Sequence, residues 1–443
     1  AQPINGVRIA GLDAPDETSP HFTYPPELYR ELTERVGPYH IDTNILGYAR
    51  SGRWEQAIRA TEEVIQRRTA AACYLLGREL WDLFVVVYTA LDRVQHTFWR
   101  AMDPRSPGFT PQEHAQYGGV IARFYEQLDA AVGRLRATAG PGVTTVVLSD
   151  HGMGPNTLGA QYLRPWLERL GYLTPVRQGG MGRQLLRRAA HLADGLLSYD
   201  LRRRLIAALP GGRAALVRQL HQPHCDWSRT RAYVHYIQPS LWINLRGREP
   251  EGIVAPGQEY EELRDELIER LEACRDLRTG RPIVRGVYRR EEVYYGPELE
   301  RAPDLWIDWD YSTIVSGLRQ PLPDGGEVII EEGADVVERD NVSGDHRPEG
   351  ILFLAGPGVC AGATLNGARI ADVAPTLLHL LGLPVPEGMD GRVLTEALDP
   401  ALVSRRAVQF RPQEVGSAAS RQAFSAAEEE QVLRRLRDLG YVD

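Results

Sequence analysis

Short apolar runs alternate with helically spaced segments along much of the chain. Residues 83–90 (LFVVVYTA), 144–148 and 351–355 are rich in β-branched and aromatic side chains and are bounded by turn residues, which predicts strands. Between the first two, residues 111–138 carry Ile121, Phe124, Leu128, Val132 and Leu135 on one stripe, the spacing of an amphipathic helix. Strand, helix, strand in succession is the βαβ signature, so the expected fold class is α/β, a mostly parallel sheet flanked by helices.

The pattern also divides the chain. After residue 173 it loses this alternation: a Gly-rich break at 178–182, Arg-rich helical stretches and a Pro-Gly-Gly turn at 210–212 read as an insertion. A long helix is predicted over 259–274, ending near Thr279 and Gly280, and core character returns at 303–307 (PDLWI). Residues 372–381 predict a helix with Asp372 at its N-cap and Gly382 at its end. We therefore expect a core in two parts, 1–174 and 301–400, an inserted cap at 175–300, and a polar tail at 401–443 with a helix over 421–441.

Composition narrows the class. At 443 residues the chain is too long for one compact core, and its 43% hydrophobic and 25% charged content is ordinary for a globular protein. A net charge of −8 argues against a nucleic-acid partner, which needs a broad basic face. All 51 basic residues are Arg, best explained by genomic bias. The four cysteines are far apart and form no C-x-x-C pair, so reduced thiols and a cytoplasmic location are expected. No apolar run is long enough to span a bilayer and no secretory signal is visible. The amphipathic run at 183–209 fits packing into the cap better than contact with an anionic membrane surface. Nothing in the pattern specifies an oligomer.

Three places carry chemistry. LFVVVYTALD leads into Asp92 and His96, which lie one turn apart if the chain turns helical there; alone, the pair also reads as a surface pair or an N-cap. The run TVVLSD ends on Asp150 with His151 next, followed by Gly152 and Gly154, which we expect to release the pleat so that both side chains reach one ion. The plain alternative is a turn-forming Asp beside a hydrogen-bonded His. The third place is Ser343-Gly344-Asp345-His346-Arg347, before the run at 351–355. Carboxylate and imidazole together suit Zn²⁺, with Mn²⁺ second, and two such ions stabilise an in-line displacement at phosphorus. Arg347 is a candidate for meeting a substrate phosphate bidentately, a surface ion pair being the alternative. Glu62-Glu63 and Glu331-Glu332 read as solvated faces, and His379 as a core histidine.

The stretches ALDRVQHTFW, VVLSDHGMG, SGDHRPEGILFLAGPGV and ADVAPTLLHLLGLPVPEGMDGRVL, in that order, resemble the alkaline phosphatase superfamily, most closely its type I phosphodiesterase/nucleotide pyrophosphatase branch. INGVRIAGLDAP and DWSRTRAYV also resemble predicted phosphohydrolase or phosphomutase members. The resemblance implies an alkaline-phosphatase-like fold with an inserted cap and a small-molecule phosphate ester as substrate. It implies two divalent metal ions, one on Asp92, His96 and His346 and the other on Asp150 and His151.

It further implies a Ser or Thr nucleophile and another metal-binding Asp, both early in the chain. Asp13, Thr18 and Ser19 are poor candidates, because too little sequence precedes Asp13 for the required strand–helix unit; Asp13 reads as a turn residue before Pro15. The expectation is that the nucleophile lies upstream of Ala1 and that this chain is weakly active or inactive as a metal-dependent phosphoric-ester hydrolase. The alternatives are a non-catalytic metal-binding protein of the same fold and a phosphoglycerate-mutase-like phosphotransferase.

Overall fold

A computed structural model describes residues 4–412 apart from 12–13, 15–16, 18, 20–21, 42, 44, 177–224, 235–239 and 332–341, together with residue 432. Asp13, Thr18 and the run at 183–209 lie outside the described residues, as does nearly all of the helix expected over 421–441. Among the described residues no helix is long and apolar enough to cross a membrane, and the four cysteines are free.

The elements that place the site are, in chain order, α1 (Trp54–Arg78), α2 (Ala90–Met102), α3 (Val120–Ala139), β1 (Thr145–Leu148), β2 (Gly152–Pro155), α4 (Leu163–Arg169), β3 (Ala232–Tyr233), β4 (Ser240–Ile243), α5 (Gln258–Glu272), β5 (Val284–Arg289), β6 (Leu305–Trp309), β7 (Gly344–Arg347), β8 (Leu352–Ala355) and α6 (Val373–Leu380). Helices α1, α2 and α3 bury Ile58, Ile65, Val94, Phe98, Ile121 and Phe124 in one core. The helix expected over 111–138 is two: Pro111–Tyr117 and α3, parted at Gly118 and Gly119.

Strand β1 pairs antiparallel with β8, Leu148 opposite Leu352, and β2 pairs antiparallel with β7, Met153 opposite His346. Residues 83–89 form no regular element and belong to no ladder among the described residues. Arg68 Nη1 donates to the Val87 carbonyl at 2.8 Å, while Leu83, Val85 and Val87 are exposed. The mostly parallel sheet expected from the βαβ pattern does not appear among the described pairings, where the one parallel ladder joins Val385–Pro386 to Phe410–Arg411. The pattern marks an extended apolar segment; which strand it meets, and in which direction, is decided by chain elsewhere.

A second core gathers Trp166 of α4, Leu263 and Leu267 of α5, and the antiparallel sheet ordered β3-β4-β6-β5. Strand β6, where the first core was expected to resume, pairs on both sides within this sheet. Its entry residue Asp304 is fully buried. Its carboxylate accepts Arg248 Nη1 and Nη2 at 2.7 and 2.6 Å, the Tyr260 hydroxyl at 2.6 Å and the Ile243 N–H at 2.6 Å. A buried carboxylate survives because every lone pair is claimed.

Helix α6 follows Asp372 as expected, but the Asp372 carboxylate accepts the N–H groups of Arg369 and Arg392 rather than capping the helix. Gly382 follows with φ 75°, a left-handed exit that favours glycine. His379 is buried within α6, apart from the site below. Glu62 departs from its expected solvated face: its side chain is 15% exposed and accepts hydrogen bonds from Arg123 and Gln127.

Candidate metal centre

Helix α2 sets the first two ligand candidates. Val94, Phe98 and Ala101 bury one stripe, which leaves Asp92 in the first turn and His96 one turn later on a shared side. A carboxylate in the first turn also suits the positive end of the helix. The third candidate arrives from residue 346 because the start of β7 is pinned to α2. The Ser343 N–H donates to the His96 carbonyl at 2.7 Å, and the Arg100 N–H donates to Ser343 Oγ at 3.1 Å. Gly344 then lies so close that a Cβ there would stand 3.0 Å from the Gln95 carbonyl carbon and 3.2 Å from Trp99 Cβ.

The result is a small triangle. His96 Nε2 and His346 Nε2 are 3.0 Å apart, and each is 3.3 Å from Asp92 Oδ1. Three ligands bound about 2.0–2.1 Å from a tetrahedral ion are roughly 3.3–3.4 Å from one another, so these atoms fit the face of such a site. The His96 Nδ1–H donates to the Gly344 carbonyl at 2.8 Å, a tautomer that leaves the Nε2 lone pair facing the triangle. Asp92 Oδ2 is buried with no hydrogen-bond partner among the described residues, with Arg93 Nη1 3.2 Å away. Burial pushes the Asp92 carboxyl upward, but when the imidazoles are protonated at Nε2, hydrogen bonds from His346 and His96, then the charges of His96 and Arg93, outweigh it. They hold the group well below the usual carboxylate range. It is therefore an anion, the form a cation needs.

His151 stands at the edge of this triangle. Its ring lies 3.7 Å from that of His346, centroid to centroid, at 31°. With Nδ1–H donating to the Gly152 carbonyl at 3.0 Å, Nε2 faces outward, 3.8 Å from Asp92 Oδ1 and 3.6 Å from Asp150 Oδ1. Asp150 is 73% exposed. The structure thus brings together Asp92, His96 and His346, sets His151 beside them, and leaves Asp150 on the rim.

The glycines of HGMG have a different reason from the expected one. Neither Gly152 nor Gly154 has positive φ; a Cβ at Gly152 would strike the Glu349 carbonyl oxygen, and one at Gly154 would overlap the Arg347 guanidinium. They admit β7 and the turn after it. Arg347 itself is turned onto backbone. Nη1 donates to the carbonyls of His346 (2.8 Å) and Asp345 (3.3 Å), Nη2 donates to that of Pro155, and the guanidinium carbon lies 4.6 Å from the Tyr311 ring centroid.

Sequence reasoning passed over Gly344, Arg93 and Tyr311. Arg93 had a visible signal, a charged residue adjoining the apolar stripe of α2; it is 1% exposed. Tyr311 and Gly344 had none, since their contacts are made across the fold.

Residues 6–321 match the family described as type I phosphodiesterase/nucleotide pyrophosphatase. Curated relatives share shorter stretches. A 2,3-bisphosphoglycerate-independent phosphoglycerate mutase from Cereibacter sphaeroides is 54% identical over 99 residues, 20% of this chain and 18% of that protein. Proteins of the same name from Dinoroseobacter shibae and Ruegeria pomeroyi are 30% and 28% identical over 149 residues, in each case 31% of this chain and 27% of theirs. The chain thus spans less than a third of the length of these relatives. No solved structure matches.

Proposed function

The chain belongs to the type I phosphodiesterase/nucleotide pyrophosphatase family, within the alkaline phosphatase superfamily, and from that premise we propose that it acts in phosphoryl transfer on small phosphate esters, as a metal-dependent hydrolase. The observation that carries the reading is the triangle of Asp92 Oδ1, His96 Nε2 and His346 Nε2, with sides of 3.0 to 3.3 Å. In it Asp92, His96 and His346 hold one divalent ion, Zn²⁺ by the chemistry of the donors, and Asp150 and His151 contribute to a second. A divalent ion, when bound, neutralises charge on phosphoryl oxygens and lowers the pKa of a bound water.

The chain's own residues supply orientation. The Gly344 carbonyl holds His96 in the Nδ1–H tautomer, and the Gly152 carbonyl does the same for His151, so both Nε2 atoms present lone pairs. Arg93, beside Oδ2, leaves Oδ1 of Asp92 turned to the imidazoles. The attacking group is not among the residues gathered here, and Arg347, proposed from sequence for the substrate phosphate, is engaged with carbonyls. The cap selects the leaving group in this reading.

A phosphomutase is the second reading, favoured by the relatives, which are phosphoglycerate mutases by name. Metal content and turnover test both. The protein should bind Zn²⁺, and His96→Ala and His346→Ala should each abolish binding at the Asp92 site. Release of nitrophenol from bis(p-nitrophenyl) phosphate supports the hydrolase; interconversion of 2- and 3-phosphoglycerate without it supports the mutase. Unchanged Zn²⁺ binding in both variants would overturn the ligand assignment.

A further inference from the structure

Strand β7 carries His346 and Arg347 side by side, and successive side chains on a strand leave opposite faces. His346 faces α2 and the triangle; Arg347 leaves on the other side, and its guanidinium bends back over the β2–β7 pair. There it reaches carbonyls of both strands: Asp345 and His346 on β7, and Pro155 at the end of β2. Tyr311 backs the guanidinium at 4.6 Å. The seat is Gly154, where a Cβ would stand 2.6 Å from Cζ and 2.7 Å from Nη2. One rigid, planar cation thus spans two strands, a task that Arg performs and the point charge of Lys does not.

We propose that Arg347 is a positioning residue for His346: seated on Gly154 and bound to the Asp345, His346 and Pro155 carbonyls, it fixes β7 against β2 and so sets where His346 Nε2 stands relative to Asp92 and His96. The inference rests on the reading of those three residues as a cation site. Its chemical logic is that of an outer-layer contact. Ligand atoms need to be within about 0.2 Å of their bonding distances, and β7 is a four-residue strand held on one edge by β2. Without the latch, strand and imidazole move together.

The test uses the full chain and its variants Arg347→Ala, Arg347→Lys and Gly154→Ala. Zn²⁺ affinity is read by competition with a chromogenic chelator, Co²⁺ coordination by visible absorption, and metal-free stability by thermal unfolding. Arg347→Ala should lower Zn²⁺ affinity about 10- to 100-fold, the usual effect of losing such an outer contact, and weaken the tetrahedral Co²⁺ bands. Arg347→Lys, which cannot span both strands, should lose both nearly as Arg347→Ala does, and Gly154→Ala should mimic Arg347→Ala by displacing the guanidinium. If Arg347→Ala does not fold, the other two decide.

Variants that melt lower but keep wild-type Zn²⁺ affinity and Co²⁺ spectra would reduce Arg347 to general support and overturn the proposal. Failure of the wild-type chain to bind Zn²⁺ or Co²⁺ would instead remove the reading beneath it.

Discussion

Replacing Gly344 by Ala adds one methyl group at the point where β7 meets α2. Its carbon would lie 3.0 Å from the Gln95 carbonyl carbon and 3.2 Å from Trp99 Cβ, where carbon atoms prefer about 3.5–4.0 Å. The nearest obstacle is the Gln95 carbonyl oxygen on the helix backbone, so the strand yields, by at least roughly 0.5 Å from the carbon contacts alone. This exceeds the roughly 0.2 Å tolerance of a metal ligand and stretches the 2.8 Å hydrogen bond from His96 Nδ1–H to the Gly344 carbonyl. Overpacking of this kind costs about 1–3 kcal/mol of stability. Loss of the bond orienting His96, together with displacement of His346, should weaken Zn²⁺ by about 10- to 100-fold, or about 1.4 to 2.8 kcal/mol at about 1.4 kcal/mol per decade. Urea unfolding of the metal-free protein measures the first quantity and chelator competition the second. Gly133→Ala, in α3 with nothing within 4 Å of the new Cβ, is the control and should leave Zn²⁺ affinity unchanged. If Gly344→Ala binds Zn²⁺ within threefold of wild type, the close approach of β7 to α2 does not set the triangle.

Two further outcomes concern the second core. Asp304→Ala takes from the half-buried Arg248 the partner of both its Nη atoms and leaves the buried Tyr260 hydroxyl and Ile243 N–H unpaired, and should cost about 3–5 kcal/mol in urea unfolding; a loss under about 1 kcal/mol would refute the network. Burial pushes the Cys274 thiol up to about 12, so at pH 8 it should stay protonated and resist iodoacetamide while the partly exposed Cys73 and Cys360 are alkylated. Peptide mass spectrometry reads this, and labelling of Cys274 as fast as Cys360 would contradict it.

The proposed ligand residues could be singled out as candidates because each belongs to a local pattern. Asp92 and His96 are one helical turn apart, Asp150 and His151 follow an apolar run, and His346 follows a Ser-Gly pair shortly before another. Helical periodicity likewise located α5, whose bounds differ from expectation by one or two residues, and the stretch holding α3, which the structure divides at Gly118 and Gly119. The same local evidence misjudged other positions. The run at 83–90 has strand composition, yet composition does not say whether a neighbour will meet its backbone, and at 83–89 no described strand does. The glycines of HGMG read as relief for a bent pleat, but they make room for Glu349 and Arg347, almost two hundred residues away.

Sequence alone thus offered the candidate donor atoms and the helix that carries Asp92 and His96, because donor chemistry belongs to the side chain and the 3.6-residue period is local. Only the tertiary structure decided that Arg347 turns to carbonyls, that β6 lies inside the antiparallel sheet, and that His346 comes within 3.3 Å of Asp92, 254 residues apart. Those outcomes follow from steric fit between distant segments, the Gly344 backbone against α2 and the guanidinium against Gly154. Such fit arises only once the segments are brought together.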